Sequence, residues 1–224
     1  MSTEEPPPHL DSRIGRPPRG IFRPWFIILT AAVTVLSFVS VIAVDRPLAE
    51  RLASLDGGIV SLLEKVTLLG SSEPYLIGLP VLGAVLLVLD RWRRLAAVTL
   101  FTFATIAVSG LAIDAIKVIA GRLRPKLFLE HGLHGLEPFT FDPARHSFPS
   151  SHAAVGVGLA IGMGTYFPAL RIPLAVVALA IGASRVALEL HYLSDVICGA
   201  YLAIPAAFLA RHLVEALRLG PESL

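Results

Sequence analysis

The chain has 224 residues, 54% of them hydrophobic and 16% charged, with a mean hydropathy of +0.72. That balance is too apolar for a soluble domain of this length and points to a membrane protein. A formal net charge of +2 supplies no basic field for nucleic acid, and the single cysteine, Cys198, excludes an intrachain disulfide or a thiolate metal cluster.

Residues 1–24, rich in Pro and Arg, read as a mobile cytoplasmic tail without a secretory signal core. A spanning helix needs about 20 apolar residues, and the polar punctuation cuts the remainder into six such stretches. Residues 25–44 form the first, retained because Asp45, Arg46 and Pro47 follow it where small-residue cleavage chemistry would have to stand. Residues 59–69, between the turn signals Asp56-Gly57-Gly58 and Gly70-Ser71-Ser72, are expected as a short interfacial helix. The second span is 75–89, with Pro80 tolerated where neighbouring helices satisfy the freed carbonyl. A tight basic turn at 90–94 leads into the third span, 95–116, and a long polar loop covers 118–150. The fourth span, 151–166, carries Gly156, Gly158, Gly162 and Gly164, which favour close helix approach. The fifth span is 172–190 and the sixth 193–213, before a C-terminal tail at 214–224. The expected fold is all-α: one six-span bundle over 25–213 whose long loop covers a periplasmic site.

Alternating spans place ten Lys and Arg on the side of the termini and nine on the other, so the count alone does not orient the chain. The tail and the turn at 90–94 are nearly free of counter-charge, whereas the opposite loops mix in Asp45, Glu50, Asp56, Glu64, Glu73, Glu130, Glu137 and Asp142. Both termini are therefore expected in the cytoplasm and the long loop outside.

Three segments bring ionisable groups to the opposite, outer edge. The first is Lys117 with Arg122, Arg124 and Pro125. A single cation there could simply snorkel to headgroups, but lysine as a point charge and arginine as a planar fork also suit a phosphate. The second runs Ser147-Phe148-Pro149-Ser150-Ser151-His152. Serine before a helix is ordinary capping chemistry, and a helix start also favours an anion; His152, just inside the span, could protonate a departing oxygen. The third holds Arg185, His191 and Asp195. Arg185 follows an apolar run, where an unpaired charge costs about 2.5–3.5 kcal/mol, so something anionic should meet it; Glu189, four residues on, is one such partner. His191 and Asp195 are also four apart, so on a helix they share a face and the carboxylate could fix the imidazole tautomer. Cations, two histidines, a carboxylate and serine donors suit phosphoryl transfer, and without a paired carboxylate set for magnesium neither a metal nor another cofactor is expected.

These segments read K-x6-R-P from Lys117 to Pro125, P-S-S-H from Pro149 to His152, and S-R-x5-H-x3-D from Ser184 to Asp195. In that order they resemble the three signature motifs of the type 2 phosphatidic acid phosphatase and vanadium haloperoxidase superfamily, in its six-span lipid phosphatase branch. The resemblance covers residues 95–213. It implies that Lys117, Arg124, Arg185, Ser150 and Ser151 bind the substrate phosphate, that His152 protonates the leaving group, that His191 attacks phosphorus and that Asp195 orients it. The commonest family pattern has Gly at the position of Ser151, and Arg122 lies outside the strict pattern, where it is expected to greet substrate or lipid. The implied partners are the bilayer and a lipid phosphate: undecaprenyl diphosphate, phosphatidylglycerol phosphate, phosphatidic acid or lipid A 1-phosphate. A phosphotransferase would use the same residues, and a lipid transporter is the reading from a different class. His131, His134 and His146 are spaced irregularly within the loop 126–146 and read as surface histidines; the sequence sets no oligomeric state.

Overall fold

The computed structural model describes residues 24–89, 92–217 and 219. The expected tail over 1–24 lies outside the described residues apart from Pro24, as do Asp90 and Arg91 of the basic turn and most of the C-terminal tail. The described residues form nine α-helices: α1 (Pro24–Val39), α2 (Asp45–Leu52), α3 (Gly57–Leu68), α4 (Glu73–Val88), α5 (Arg93–Ala120), α6 (Pro125–His131), α7 (Ser151–Tyr166), α8 (Arg171–Ala187) and α9 (Leu193–Ala216). An all-helical architecture follows from the solvent, because hydrocarbon offers no partner for a free backbone N–H or C=O.

Five stretches are long and apolar enough to cross a membrane: Pro24–Leu52, Gly57–Val88, Arg93–Ala120, Pro168–Ala187 and Leu193–Ala216. The chain is a multi-pass membrane protein. α7, with 16 residues, is only about 24 Å long at 1.5 Å per residue. It lies inside the bundle, packed on α5, α8 and α9.

Several boundaries depart from the sequence reading. The first helix does not stop at Val44; one π-helical turn, Ser40–Val44, carries it into α2, so the helix passes Asp45 and runs on to Leu52. Asp45 is buried at 2% exposure. A polar residue read from sequence as an exit to water is instead satisfied within the fold. α5 runs longer than expected at both ends, and α8 stops at Ala187, short of Leu190.

The interior packs apolar side chains of several helices, from Ala154 and Ala203 to Phe101 and Tyr166. Ile113, Ala154 and Ala203 form one cluster, and Ile106, Val155 and Leu159 another. Thr99, Thr102, Thr105 and Ser109 line one face of α5, and each donates its hydroxyl to a carbonyl three or four residues back. That leaves no hydroxyl among these four unsatisfied away from water. Many other large apolar side chains point outward, among them Ile28, Phe38, Val88 and Leu179, as a lipid-facing surface requires.

Gly199 permits a close approach between α9 and the start of α7. A Cβ there would collide with the carbonyl of Ser150, the residue that caps α7. The bare backbone lets Ser150 N–H donate to the Asp195 carbonyl at 3.0 Å. We expect Gly199→Val to lower the unfolding midpoint in detergent by the equivalent of about 2 kcal/mol or more. Gly78→Ala places its methyl where no atom lies within 4 Å and should leave the midpoint unchanged; equal midpoints for the two variants would refute the close-packing argument.

Candidate active site

Three helix ends and one loop meet at one end of the bundle. α5 stops at Gly121, whose φ of +56° closes the helix in the left-handed region and where a Cβ would strike the Glu137 carbonyl. The chain turns there into Arg122-Leu123-Arg124, and Pro125 opens α6. The loop folds back over this turn: Glu137 N–H donates to Gly121 O at 2.8 Å, Arg124 N–H to Ala144 O at 3.1 Å and Ser147 N–H to Arg122 O at 2.9 Å.

Lys117, in the last turn of α5, donates from Nζ to Ser151 Oγ at 3.1 Å and lies 3.7 Å from the exposed Asp114 carboxylate. Arg124 donates from Nε to Pro143 O at 3.0 Å. Burial holds its guanidinium below the ordinary arginine value, with Asp195 pulling the other way. Arg185, 7% exposed, donates from Nη1 to Thr67 Oγ1 at 2.9 Å, and its buried Nε has no hydrogen-bond partner. The charges of Lys117, Arg124 and Arg185 act on one another, and those of the two arginines act on both His152 and His191. Among the described residues neither Arg124 nor Arg185 is ion-paired with a carboxylate. With the two arginines carrying no carboxylate partner, this gathering of like charges leaves a site complementary to an anion.

The N-terminus of α7 enters the same space. Ser150, fully buried, is its N-cap and accepts from Ala153 N–H at 3.5 Å, while Ser151 and His152 form the first turn. His152 packs against the turn between α3 and α4, where a Cβ on Gly70 would come within 3.1 Å of its side chain.

His191 is not on a helix. α8 ends at Ala187, and the amides of Leu190 and His191 both donate to the Arg185 carbonyl, at 3.1 and 3.2 Å. α9 begins only at Leu193, with Tyr192 as N-cap. The expectation that His191 and Asp195 share a helical face is therefore corrected: a turn and a cap bring them together. His191 Nδ1 bonds the Ser147 carbonyl at 2.5 Å, and Asp195 Oδ2 lies 3.7 Å from that nitrogen, beyond hydrogen-bond reach. A carbonyl can only accept, so Nδ1 carries the proton and the lone pair of a neutral ring sits on Nε2. Burial holds His191 below the usual histidine range, against the pull of Asp195.

Asp195, fully buried, accepts from Ser147 Oγ at 2.6 Å, from Tyr192 N–H at 2.8 Å and from Arg122. Arg122 also donates to Asp45 Oδ2 at 2.8 Å and to Ser194 Oγ at 2.7 Å, and its guanidinium lies 4.5 Å from the centre of the Tyr192 ring. Its expected role toward substrate or lipid gives way to an internal one, because two buried carboxylates engage it. The alternative of an Arg185–Glu189 pair is not formed; Glu189 has φ +57°, past the end of α8, and Thr67 partners Arg185 instead.

Asp45, Thr67, Ser147 and Ser194 carry no assigned role in the sequence reading of this site. Asp45 had a usable signal, a lone carboxylate closing a long apolar run; Thr67 and Ser194 had none, since hydroxyls are common in spanning helices. In the loop, His131 and His134 are exposed as expected, whereas His146 is half-buried and bonds Thr140 O at 2.8 Å. A cavity of about 490 Å³ is lined by Leu55, Val60, Glu64, Thr67, Leu68 and Leu190 among others, so Thr67 forms a wall of it while holding Arg185.

Residues 97–219 match the PAP2 superfamily. Over 99 residues, which are 44% of this chain, it is 34% identical to a lipid A 1-phosphatase of Rhizobium etli, and by the same measures to one of Rhizobium johnstonii. The aligned stretch spans 43% of the first relative and 41% of the second. A transmembrane PAP2 type phosphatidylglycerolphosphate phosphatase from Bacillus subtilis superposes with a TM-score of 0.62 at 21% identity, covering 85% of this chain and 96% of that one. LpxE of Aquifex aeolicus superposes with a TM-score of 0.56 at 19% identity, covering 75% and 94%. These superpositions speak to the fold, and the match over more than half the residues settles the kinship: the chain belongs to the PAP2 superfamily.

Proposed function

We propose that the chain is a membrane phosphatase that removes phosphate from a lipid phosphate or diphosphate through a phosphohistidine on His191. The observation that carries this reading is the convergence of Lys117, Arg124 and Arg185 on a space that also receives the start of α7 and a histidine whose Nε2 is unprotonated in its neutral form. Among the four lipid classes, the 1-phosphate of lipid A is favoured by the names of the Rhizobium relatives. The site faces the periplasm in this proposal, with both termini in the cytoplasm of a bacterial inner membrane.

The cycle has two steps. The three cations, with Ser150 and Ser151 at the helix start, hold the phosphoryl oxygens. His191 Nε2 attacks phosphorus, the bond to the leaving oxygen breaks, and His152 gives that oxygen its proton. Water then attacks the phosphohistidine with His152 as base, which returns free phosphate and His191. The incoming phosphate supplies the negative charge that lets His152 hold a proton among three cations. The cycle calls on no metal, and Asp195, the carboxylate beside His191, is already engaged by Arg122. The cavity walled by Thr67 is the place for the part of the lipid next to the phosphate.

A phosphate-release panel over the four lipid classes in detergent tests the reading, with lipid A 1-phosphate expected to be cleaved fastest. His191→Ala should lower kcat by about three orders of magnitude or more, as losing a covalent nucleophile does, while the variant still folds; retained turnover would overturn the assignment. The pH dependence has a definite sign. His191 attacks when neutral, and a value held below 6.5 keeps it neutral as the medium is acidified through that point, so the acid limb of kcat/KM should lie below about pH 6.5. An acid limb above neutrality would exclude His191 as the group responsible. Leu68→Trp, which narrows the cavity away from the phosphate site, should raise KM for the lipid about tenfold with kcat little changed; an unchanged KM would place the lipid elsewhere.

A further inference from the structure

We infer that Asp45, outside all three motif segments, is a positioning residue for His191 that acts through Arg122 and Asp195; this rests on the reading of His191 as nucleophile. Asp45 follows the π-helical turn that ends the apolar part of the first helix, and it is 2% exposed. Each of its carboxylate oxygens takes two donors. Oδ1 accepts from Ser40 Oγ at 2.7 Å and Ser194 N–H at 3.1 Å; Oδ2 accepts from Arg122 Nη2 at 2.8 Å and Ser194 Oγ at 2.5 Å. The Ser194 amide is one of the free donors at the start of α9, so the first helix caps the helix that carries Asp195.

The charge arrangement says what this does for the reaction. Arg122 with Asp195 alone would be a neutral pair. Asp45 is a second carboxylate on the same guanidinium, and the three together keep a net negative charge behind His191. When the Nε2–P bond forms, the ring keeps its Nδ1 proton on the Ser147 carbonyl and becomes cationic. Asp195 lies 3.7 Å from that nitrogen, and it can offset the new charge only to the extent that Arg122 is neutralised from its far side. The same contacts aim the ring: Asp45 fixes Arg122, Arg122 fixes Asp195, and Asp195 holds the Ser147 hydroxyl whose residue presents the carbonyl to Nδ1. Asp45 touches neither the three cations nor the space they enclose in any of its hydrogen bonds, so substrate affinity should not depend on it.

The experiment compares Asp45→Asn and Asp45→Glu with wild type in detergent, on the lipid of the panel that wild type cleaves fastest, with rates taken per folded molecule from thermal unfolding. Asn keeps the size and loses the charge; Glu keeps the charge and fits less well. We expect Asn to lower kcat at least about tenfold, in the range seen when outer partners of a functional histidine are lost, with KM within about twofold of wild type. Glu should retain more kcat than Asn. The inference is overturned if Asn retains as much kcat as Glu, if the loss lies in KM, or if folded Asn protein turns over at the wild-type rate. His191→Ala run alongside separates the failures: turnover by that variant would remove the nucleophile assignment itself, whereas an inactive His191→Ala beside a fully active Asp45→Asn would remove only the role of Asp45.

Discussion

Arg122 bridges Asp45 and Asp195, and through those two carboxylates it joins the first helix, the turn after α5 and the start of α9. Breaking a buried pair of this kind leaves an uncompensated charge and costs about 3–5 kcal/mol, far more than an exposed pair is worth. The other placements at this end follow from it. Asp195 positions Ser147, Ser147 receives the His191 ring, and the Asp195 carbonyl holds the amide of Ser150 at the start of α7. Arg122 in turn accepts the Ser147 amide on its own carbonyl, so the loop is tied to the strut by backbone as well as by side chains.

Two groups of arginines at one end of a bundle are treated in opposite ways. Arg122 is over-supplied with carboxylate, while among the described residues Arg124 and Arg185 have only a carbonyl and a hydroxyl as hydrogen-bond partners. A carboxylate would cancel the attraction for phosphate; a neutral acceptor orients the guanidinium and leaves its charge available. In the proposed reading the difference separates a cation that holds the fold from cations left available to a phosphate.

The spans were legible because hydrocarbon imposes length and apolarity directly on sequence; α4, α5, α7 and α9 stand within a few residues of where composition alone places them. The ends were less so. The helix through Asp45 could not be read because its continuation depends on Arg122 and Ser194, which are distant in sequence and satisfy a carboxylate that would otherwise mark an exit to water. The site was legible as a set of residue types, since three cations and two histidines at helix ends are costly enough to need a reason. Its internal wiring was not. A spacing of four between His191 and Asp195 suggests one helical face, yet the chain between them breaks at Tyr192, and a backbone carbonyl from Ser147, which carries no side-chain signature, makes the contact that Asp195 was expected to make.

That substitution of a carbonyl for a carboxylate changes the chemistry as well as the geometry. A carboxylate bonded directly to Nδ1 could draw the proton toward itself as positive charge grows on the ring; a neutral carbonyl holds the tautomer without competing for that proton. Asp195, one step removed, then acts on the ring by its field and by fixing the loop. Orientation and charge compensation, which a single aspartate combines in the simplest arrangement, are divided here between Ser147 and Asp195. Because the field of Asp195 reaches the ring only to the extent that Arg122 does not cancel it, Asp45 on the first helix enters the electrostatics of a histidine it does not hydrogen-bond.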